Sequence, residues 1–138
     1  MRSISERVSA WLMNNFILFG IGGITYMVIE LLWRGCTHWT RMILGGLCFL
    51  AAGAVNRIKR IGLSIKMMIC AVLITVLEFI TGYIVNIKLG MNVWSYYDMN
   101  YNVMGQICLT YTIMWFFLSA GCIYADSYLR YNLLGSKT

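Results

Sequence analysis

The stretch CAVLITVLEFITGYIVN, residues 70–86, decides the class of fold, because it is almost wholly apolar and carries a single charged residue, Glu78. A helix needs about 20 such residues to cross the hydrocarbon core of a bilayer. In lipid, an open chain satisfies its backbone polar groups only as helices. The apolar runs therefore predict an all-α, polytopic integral membrane protein, a four-transmembrane-helix bundle that forms a single transmembrane domain over residues 1–138. The predicted helices cover about residues 15–33, 42–56, 67–87 and 103–125.

The composition also indicates a membrane protein. Of the 138 residues, 60% are hydrophobic and only 12% are charged, whereas a soluble domain carries about 25% charged residues. So few charges cannot cover a water-exposed surface, and the lipid bilayer is the expected partner. The net charge of +6 is spread between apolar runs without a dense basic arm, so we expect no nucleic acid partner.

The chain shows no pattern typical of catalysis or of metal binding. It has one His and five cysteines. The cysteines have no CxxC spacing, so we interpret them mainly as small buried hydrophobic residues and predict no metal site. The sequence also lacks a serine–histidine–aspartate set, an HExxH motif and a phosphate-binding glycine loop. We therefore expect neither an enzyme nor a cofactor.

Lysine and arginine residues in the loops predict the orientation, since they are enriched on the cytoplasmic side of a membrane protein. The side with the two termini and the loop 57–66 carries eight of them: Arg2, Arg7, Arg57, Lys59, Arg60, Lys66, Arg130 and Lys137. The opposite side carries three: Arg34, Arg41 and Lys88. We therefore expect both termini in the cytoplasm, in a multi-pass protein of the plasma membrane or the bacterial inner membrane.

Two of the five acidic residues, Glu30 and Glu78, lie inside apolar runs. A charged side chain at mid-bilayer costs at least about 2.5–3.5 kcal/mol on insertion scales. Their candidate partners are Arg34, one turn beyond Glu30, and Arg41, at the start of the second helix. Two interpretations stay open: the carboxylates join helices through hydrogen bonds, or they line a polar site for a cation or a proton. The candidate substrate- or ion-binding residues are Glu30, Glu78, Thr75, Asn86 and Tyr26.

Small and polar residues form one stripe along each predicted helix. Such stripes let helices approach closely in lipid, so we expect them to face one another. Near the end of the fourth helix, Asp126 and Arg130 are four residues apart, which predicts a surface ion pair. The stripes are Gly22, Tyr26, Glu30 and Trp33; Gly45, Phe49, Ala52, Gly53 and Asn56; Ala71, Thr75, Glu78, Gly82 and Asn86; and Gly105, Cys108, Thr112, Trp115, Ser119, Cys122 and Asp126.

The two loops on the predicted outer side carry the remaining candidate residues. In RGCTHWTR, residues 34–41, we interpret His38 chiefly as a helix cap or an interfacial histidine. The loop NVWSYYDMNYN, residues 92–102, is rich in amides and aromatic rings. It is expected either to form a lid over an outward-facing cavity or to anchor the fourth helix. Its candidate residues are Trp94, Tyr96 and Asn102.

Four segments together resemble one family: GITYMVIE, RGCTHWTRMILGGLCF, TVLEFITGYIVN and VWSYYDMNYNVMGQICLTYTIMW. They are similar to the small permease-like membrane proteins called putative ABC-transporter type IV, or CmpB-like, over roughly residues 20–130. The shared pattern has a Glu in the first helix, Leu-Glu-aromatic in the third, and Trp-x-Tyr followed by Asn-x-x-Gly. The chain departs from it at Ser95 and Asn100, where an acid and a proline are expected. The residues that match are Glu30, Glu78, Trp94, Tyr96, Asn102 and Gly105.

From these features we expect a small integral membrane transport protein or channel that passes an ion or a small solute, with the buried glutamates lining a polar site. Four short helices hardly enclose both a pathway and their own core, so a homo-oligomer is expected, with a dimer favoured. Two alternatives stay open. The protein is a non-transporting accessory subunit of a larger membrane partner, or it is a holin-like pore.

Overall fold

The computed structural model describes residues 3–133, which form four long helices in up-and-down order. We call the end of the bundle that holds the turn 35–38 and the loop 89–101 the distal end, and the opposite end the terminal end. Two π-helical segments extend the third and fourth helices. In chain order the elements are α1 (Ile4–Arg34), α2 (Trp39–Asn56), α3 (Leu63–Gly82), a π-helical segment (Tyr83–Lys88), β1 (Asn102–Val103), β2 (Ile107–Cys108), α4 (Leu109–Tyr128) and a second π-helical segment (Leu129–Leu133).

Three of the helices are long and apolar enough to cross a membrane: α1, α2, and α3 with its π-helical continuation. The expectation of a mainly helical protein with membrane-spanning helices is confirmed to that extent. A membrane crossing by α4 and the cytoplasmic position of the termini stay predictions.

The first helix is longer than the sequence predicted. It begins after Ser3, whose side chain accepts a hydrogen bond from the backbone of Glu6, while the Glu6 side chain caps Ser3 in return. It ends at Gly35, whose positive φ of 78° suits a glycine. A helix of 31 residues is about 46 Å long, which exceeds the hydrocarbon thickness of about 30 Å. The first turns of α1 are therefore expected to lie outside the hydrocarbon core or to be accommodated by tilt.

The fourth helix begins later than the sequence predicted, at Leu109 rather than near Val103. The intervening residues form the β1–β2 hairpin, with Asn102 opposite Cys108. Met104 and Gly105 have φ angles of 53° and 72°, which lie outside the right-handed helical region. A helix through this turn is therefore impossible, although its apolar residues fit a helical pattern.

The second helix is the centre of the bundle, because it packs against all three other helices, whereas α1 packs mainly against α2. Two reciprocal contacts hold α1 on α2. A Cβ on Gly22 would lie 2.5 Å from the Cβ of Phe49, and one on Gly45 would lie 2.5 Å from the Cβ of Tyr26. The predicted stripes therefore meet here, as expected. Trp33 is the exception, since it is 68% exposed.

The terminal half of the bundle has an apolar core made from α2, α3 and α4. Its buried members are Ala52, Val55, Cys70 and Ile123. All five cysteines are free, and Cys70 and Cys108 are buried while Cys36 is exposed. The interpretation of cysteines as small core residues is therefore confirmed for Cys70 and Cys108.

Candidate functional site

Arg41 lies near the start of α2 and is an arginine buried inside the bundle, with only 1% of its surface exposed. Its Nε lies 2.9 Å from Glu30 Oε2 on α1, and its Nη1 lies 3.8 Å from Glu78 Oε2 on α3. The structure thus brings together both predicted carboxylates and one of the cations that the sequence offered as their partners. We call Glu30, Arg41 and Glu78 the charge triad.

Aromatic side chains surround the buried guanidinium. Arg41 Nη1 donates a hydrogen bond of 3.1 Å to the Tyr26 hydroxyl. The guanidinium carbon lies 3.9 Å from the centre of the Trp94 ring, a geometry in which the ring face attracts the cation. The Tyr26 ring in turn meets Trp115 edge to face at 5.8 Å. These contacts replace part of the hydration that a buried arginine loses.

Glu30 joins the buried arginine to a second one at the distal surface. It is 5% exposed, and Arg34 Nη1 donates a 3.2 Å hydrogen bond to its Oε2. Both ion pairs of Glu30 are therefore made through the same oxygen. Arg34 is 36% exposed, so this outer pair is partly solvated while the inner pair with Arg41 is not.

Glu78 is less well compensated than Glu30. It is 1% exposed, and its Oε2 has no hydrogen-bond partner among the described residues. Arg41 Nη1, at 3.8 Å, is close enough for Coulomb attraction but too far for a hydrogen bond. The Trp115 indole N–H faces Glu78 from α4, but no hydrogen bond of full geometry forms between them. Glu78 is therefore the more weakly held carboxylate of the triad.

Thr75 and Asn86 share the α3 stripe with Glu78, but their polar groups serve helix and loop contacts. The Thr75 hydroxyl pairs with that of Thr112 on α4 at 3.0 Å. Asn86 Nδ2 donates to Gln106 Oε1 at 2.8 Å, and Asn86 Oδ1 accepts from the backbone of Val93 at 2.7 Å. Of the five candidate binding residues, Tyr26, Glu30 and Glu78 therefore meet at Arg41, while Thr75 and Asn86 lie apart from it.

The loop 89–101 covers the charge triad from the distal end. Trp94, which is 5% exposed, donates from Nε1 to the backbone oxygen of Gln106 at 3.0 Å. A Cβ on Gly82 would lie 2.9 Å from the Trp94 ring, so glycine at this place in α3 gives the ring its position. Asn86, in the π-helical continuation of α3, joins the loop to the β1–β2 turn, since it contacts both the Val93 backbone and the Gln106 side chain, which is 2% exposed.

The other loop candidates stabilise the loop itself. The Tyr96 ring stacks on Tyr111 of α4 at 5.0 Å. Burial, and next the negative charge of Glu78, raise the pKa of the Tyr96 phenol. Asn102 Oδ1 accepts from the backbone of Gly105 at 3.0 Å, and its Nδ2 donates to Met99 O at 2.8 Å. Asn102 thus shapes the turn before α4.

His38 is the N-terminal cap of α2. Its Nδ1 accepts a hydrogen bond of 3.3 Å from the backbone N–H of Thr40. Its ring lies 5.4 Å from that of Trp39. The interpretation of His38 as a cap is confirmed. Among residues 3–133, no group of three or more His, Cys, Asp or Glu side chains is placed to hold a metal ion.

A second polar cluster lies at the terminal end of the bundle. Asp126 and Arg130 pair at 2.9 Å and are 1% and 4% exposed, so the expectation of a surface pair is wrong. A Cβ on Gly53 would lie 2.5 Å from Asp126 Oδ1, so this glycine lets α4 approach α2 closely enough to bury the pair. Asn56 Nδ2 donates to Asp126 Oδ2 at 3.2 Å, and Arg130 Nη2 donates to Asn15 Oδ1 at 3.2 Å.

Sequence reasoning named Arg41 only as a candidate partner and missed Gln106, in the turn between β1 and β2. The signal for Arg41 was a cation directly before the second apolar run, in a chain whose two acids within apolar runs needed a partner. No comparable signal marks Gln106, because its role depends on where the β1–β2 turn packs against Asn86.

The chain belongs to the family of putative ABC-transporter type IV proteins, whose model matches residues 4–134. The resemblance seen in the sequence is therefore confirmed. Comparisons with curated proteins and with solved structures gave no match. Family membership and the three apolar helices suggest a membrane protein with a transport-related role.

Proposed function

We propose that this member of the family is a small transport protein that passes an ion or a small solute across the membrane, with the charge triad as its polar site. The observation that carries the proposal is the state of Glu78. Its carboxylate is 1% exposed, has an Oε2 without a hydrogen-bond partner among the described residues, and stands 3.8 Å from Arg41.

A carboxylate that only joins helices is expected to have its acceptors filled, because an unmade hydrogen bond to a buried charged group is costly. Glu78 Oε2 instead makes no hydrogen bond of full geometry among the described residues, although the side chain is 1% exposed. Ionisable groups inside a membrane protein that face the bundle interior are typical of ion and proton pathways. Glu78 is therefore the group that we expect to exchange partners during transport.

The triad offers a simple way to make that exchange. With both glutamates ionised, Glu30, Glu78, Arg34 and Arg41 sum to zero charge. When Glu78 takes up a proton or a cation, it no longer attracts Arg41, and the guanidinium is then held by Glu30, the Tyr26 hydroxyl and the Trp94 ring. Since Trp94 lies on the guanidinium, a shift of Arg41 moves the ring that covers the distal end.

Passage also requires a route past Trp94 or along a surface between subunits. α1 leaves most of its surface open, since only 17% of its most apolar window is buried, and bulky apolar side chains on α3 and α4 are also exposed. These faces are available to lipid or to a second copy of the chain. A homo-oligomer, with a dimer favoured, is part of the proposal.

The test is the substitution Glu78→Gln in protein reconstituted into liposomes. Glutamine keeps the shape of the side chain but does not titrate and carries no net charge. We expect loss of ion- or proton-driven flux with a melting temperature close to that of the wild type, and unchanged flux in the control Asp98→Asn, an exposed loop residue. Full flux in Glu78→Gln would remove the triad from the transport pathway.

A second candidate function is favoured by a different feature of the site. Arg41 occupies the space between the two carboxylates and joins α1, α2 and α3, as a purely structural link does. On that interpretation the protein is an accessory subunit that stabilises a larger membrane partner. The absence of any flux in wild-type liposomes, together with reproducible co-purification of one larger membrane protein, would support this function instead.

A further inference from the structure

A small cleft opens at the distal end, beside the charge triad. Its volume is about 190 Å³, well above what a single water molecule needs. Three parts of the chain line it: the last turn of α1, the turn to α2, and the start of the loop 89–101. The lining residues are Glu30, Arg34, Cys36, Thr37, His38, Met91, Asn92 and Val93.

The cleft presents one negative and one positive group on the same wall. Glu30 and Arg34 are one turn apart on α1 and pair through Glu30 Oε2. Glu30 Oε1 takes part in neither of its ion pairs. Arg34 Nη2 donates to Val93 O at 3.4 Å, a distance at the weak end of hydrogen bonding. A ligand that offers a carboxylate to Arg34 and an N–H donor to Glu30 Oε1 therefore breaks only the weak hydrogen bond from Arg34 to Val93 O.

A third polar group at the cleft is the hydroxyl of Thr37. The Thr37 hydroxyl is buried and makes no hydrogen bond to any residue in the range 3–133. A buried hydroxyl without a partner is costly, and this one belongs to a residue that lines the cleft. Asn92, an amide with both donor and acceptor atoms, also lines the cleft.

We propose that the cleft binds a small zwitterion of the α-amino-acid type, with its carboxylate on Arg34 and the Thr37 hydroxyl and its ammonium group on Glu30. The proposal rests on the transport function proposed above and names the class of solute. A simple cation fits less well, because Arg34 and Arg41 both lie beside Glu30. A simple anion fits less well, because the carboxylate of Glu30 forms part of the wall.

The experiment measures binding to the purified protein in detergent by calorimetry, with glycine and alanine as probes and with acetate and methylamine as half-ligands. We expect saturable binding of an amino acid that neither half-ligand reproduces at the same concentration. Thr37→Val should weaken that binding about tenfold, the effect of one hydrogen bond to a charged group. Arg34→Gln should weaken it more. The control Thr110→Val, on the exposed side of α4, should bind as the wild type does.

Thr37→Val separates a ligand site from a structural hydroxyl. Valine has the same shape and removes an unpaired polar group, so the melting temperature should stay the same or rise. A rise in melting temperature with unchanged amino acid affinity would overturn the proposal. So would the failure of glycine and alanine to bind, or equal binding of acetate or methylamine. Ion flux that depends on Glu78, without amino acid binding, would leave the transport function standing and reject this solute.

Discussion

Removal of the buried Arg41 should destabilise the protein, and Glu78 should account for more of the loss than Glu30. In Arg41→Met the side chain keeps its apolar volume but leaves two carboxylates inside the bundle. Removing one partner of a buried ion pair costs about 3–5 kcal/mol, a large part of the 5–15 kcal/mol that stabilises a typical domain. Glu30 keeps its 3.2 Å pair with Arg34. Glu78 has no other cation within ion-pair distance among the described residues, so most of the loss should come from Glu78.

This asymmetry predicts which second substitution restores stability. Glu78→Gln added to Arg41→Met removes the uncompensated charge and should recover most of the loss, leaving a deficit of about 1–2 kcal/mol from broken hydrogen bonds. Glu30→Gln added to Arg41→Met should recover little, because it leaves Glu78 alone.

The assay is equilibrium unfolding in detergent micelles, which gives the free energy of unfolding of each variant. Arg7→Met, an exposed arginine on α1, serves as a control and should change that free energy by less than about 0.5 kcal/mol. Two results would refute the reasoning: a loss of less than about 1 kcal/mol in Arg41→Met, or a better recovery with Glu30→Gln than with Glu78→Gln.

Three further predictions concern helix packing, the terminal cluster and the orientation. Gly45→Ala should lower the free energy of unfolding by about 1–3 kcal/mol, because the new Cβ would lie 2.5 Å from the Tyr26 side chain. The control Gly20→Ala should be tolerated, because nothing lies within 4 Å of its new Cβ. Equal losses of the two variants in micelle unfolding would argue against the close packing. Asp126→Asn should cost about 3–5 kcal/mol in the same assay, since it leaves a buried arginine one turn later without its counter-charge; a loss below 1 kcal/mol would mean that water reaches this cluster. In a cysteine-free background, cysteines introduced into the loop 57–62 should be protected from an impermeant thiol reagent in intact cells, and those in the loop 89–101 should react; the opposite pattern would reverse the orientation.

The helices and their inner faces followed from the sequence because both depend on local periodicity. Apolar runs set the approximate helix positions, and the spacing of Gly22 and Gly45 placed them on the faces that meet. The start of α4 was missed because left-handed backbone at Met104 is not visible in an apolar pattern. The sequence prediction was correct where neighbouring residues alone determine the local conformation, and it failed at the turn before α4, where they do not.

The site was only partly predictable, because its geometry depends on residues that are distant in the chain. Glu30 and Glu78 stood out as acids in apolar runs, and Arg41 was among their possible partners. That Arg41 lies between them, and that Trp94 covers it, depends on how α2 and the loop 89–101 pack. The burial of Asp126 depends in the same way on Gly53 in another helix. A sequence gives the charges of such groups but not their distance from water.

The Glu30–Arg41 pair also bears on how the chain enters the membrane during synthesis. α2 has only 18 residues and carries Arg41 in its first turns, so transfer of this helix by itself from the translocon into lipid is unfavourable. α1 emerges first and already contains the opposite charge. If the two helices leave the translocon as one hairpin, each ion is neutralised before it meets the acyl chains, and the insertion penalty of α2 falls. α1 and α2 would then enter the lipid together, and α3 would follow. The Glu30–Arg41 pair would in that case be needed for membrane insertion as well as for the stability of the folded protein.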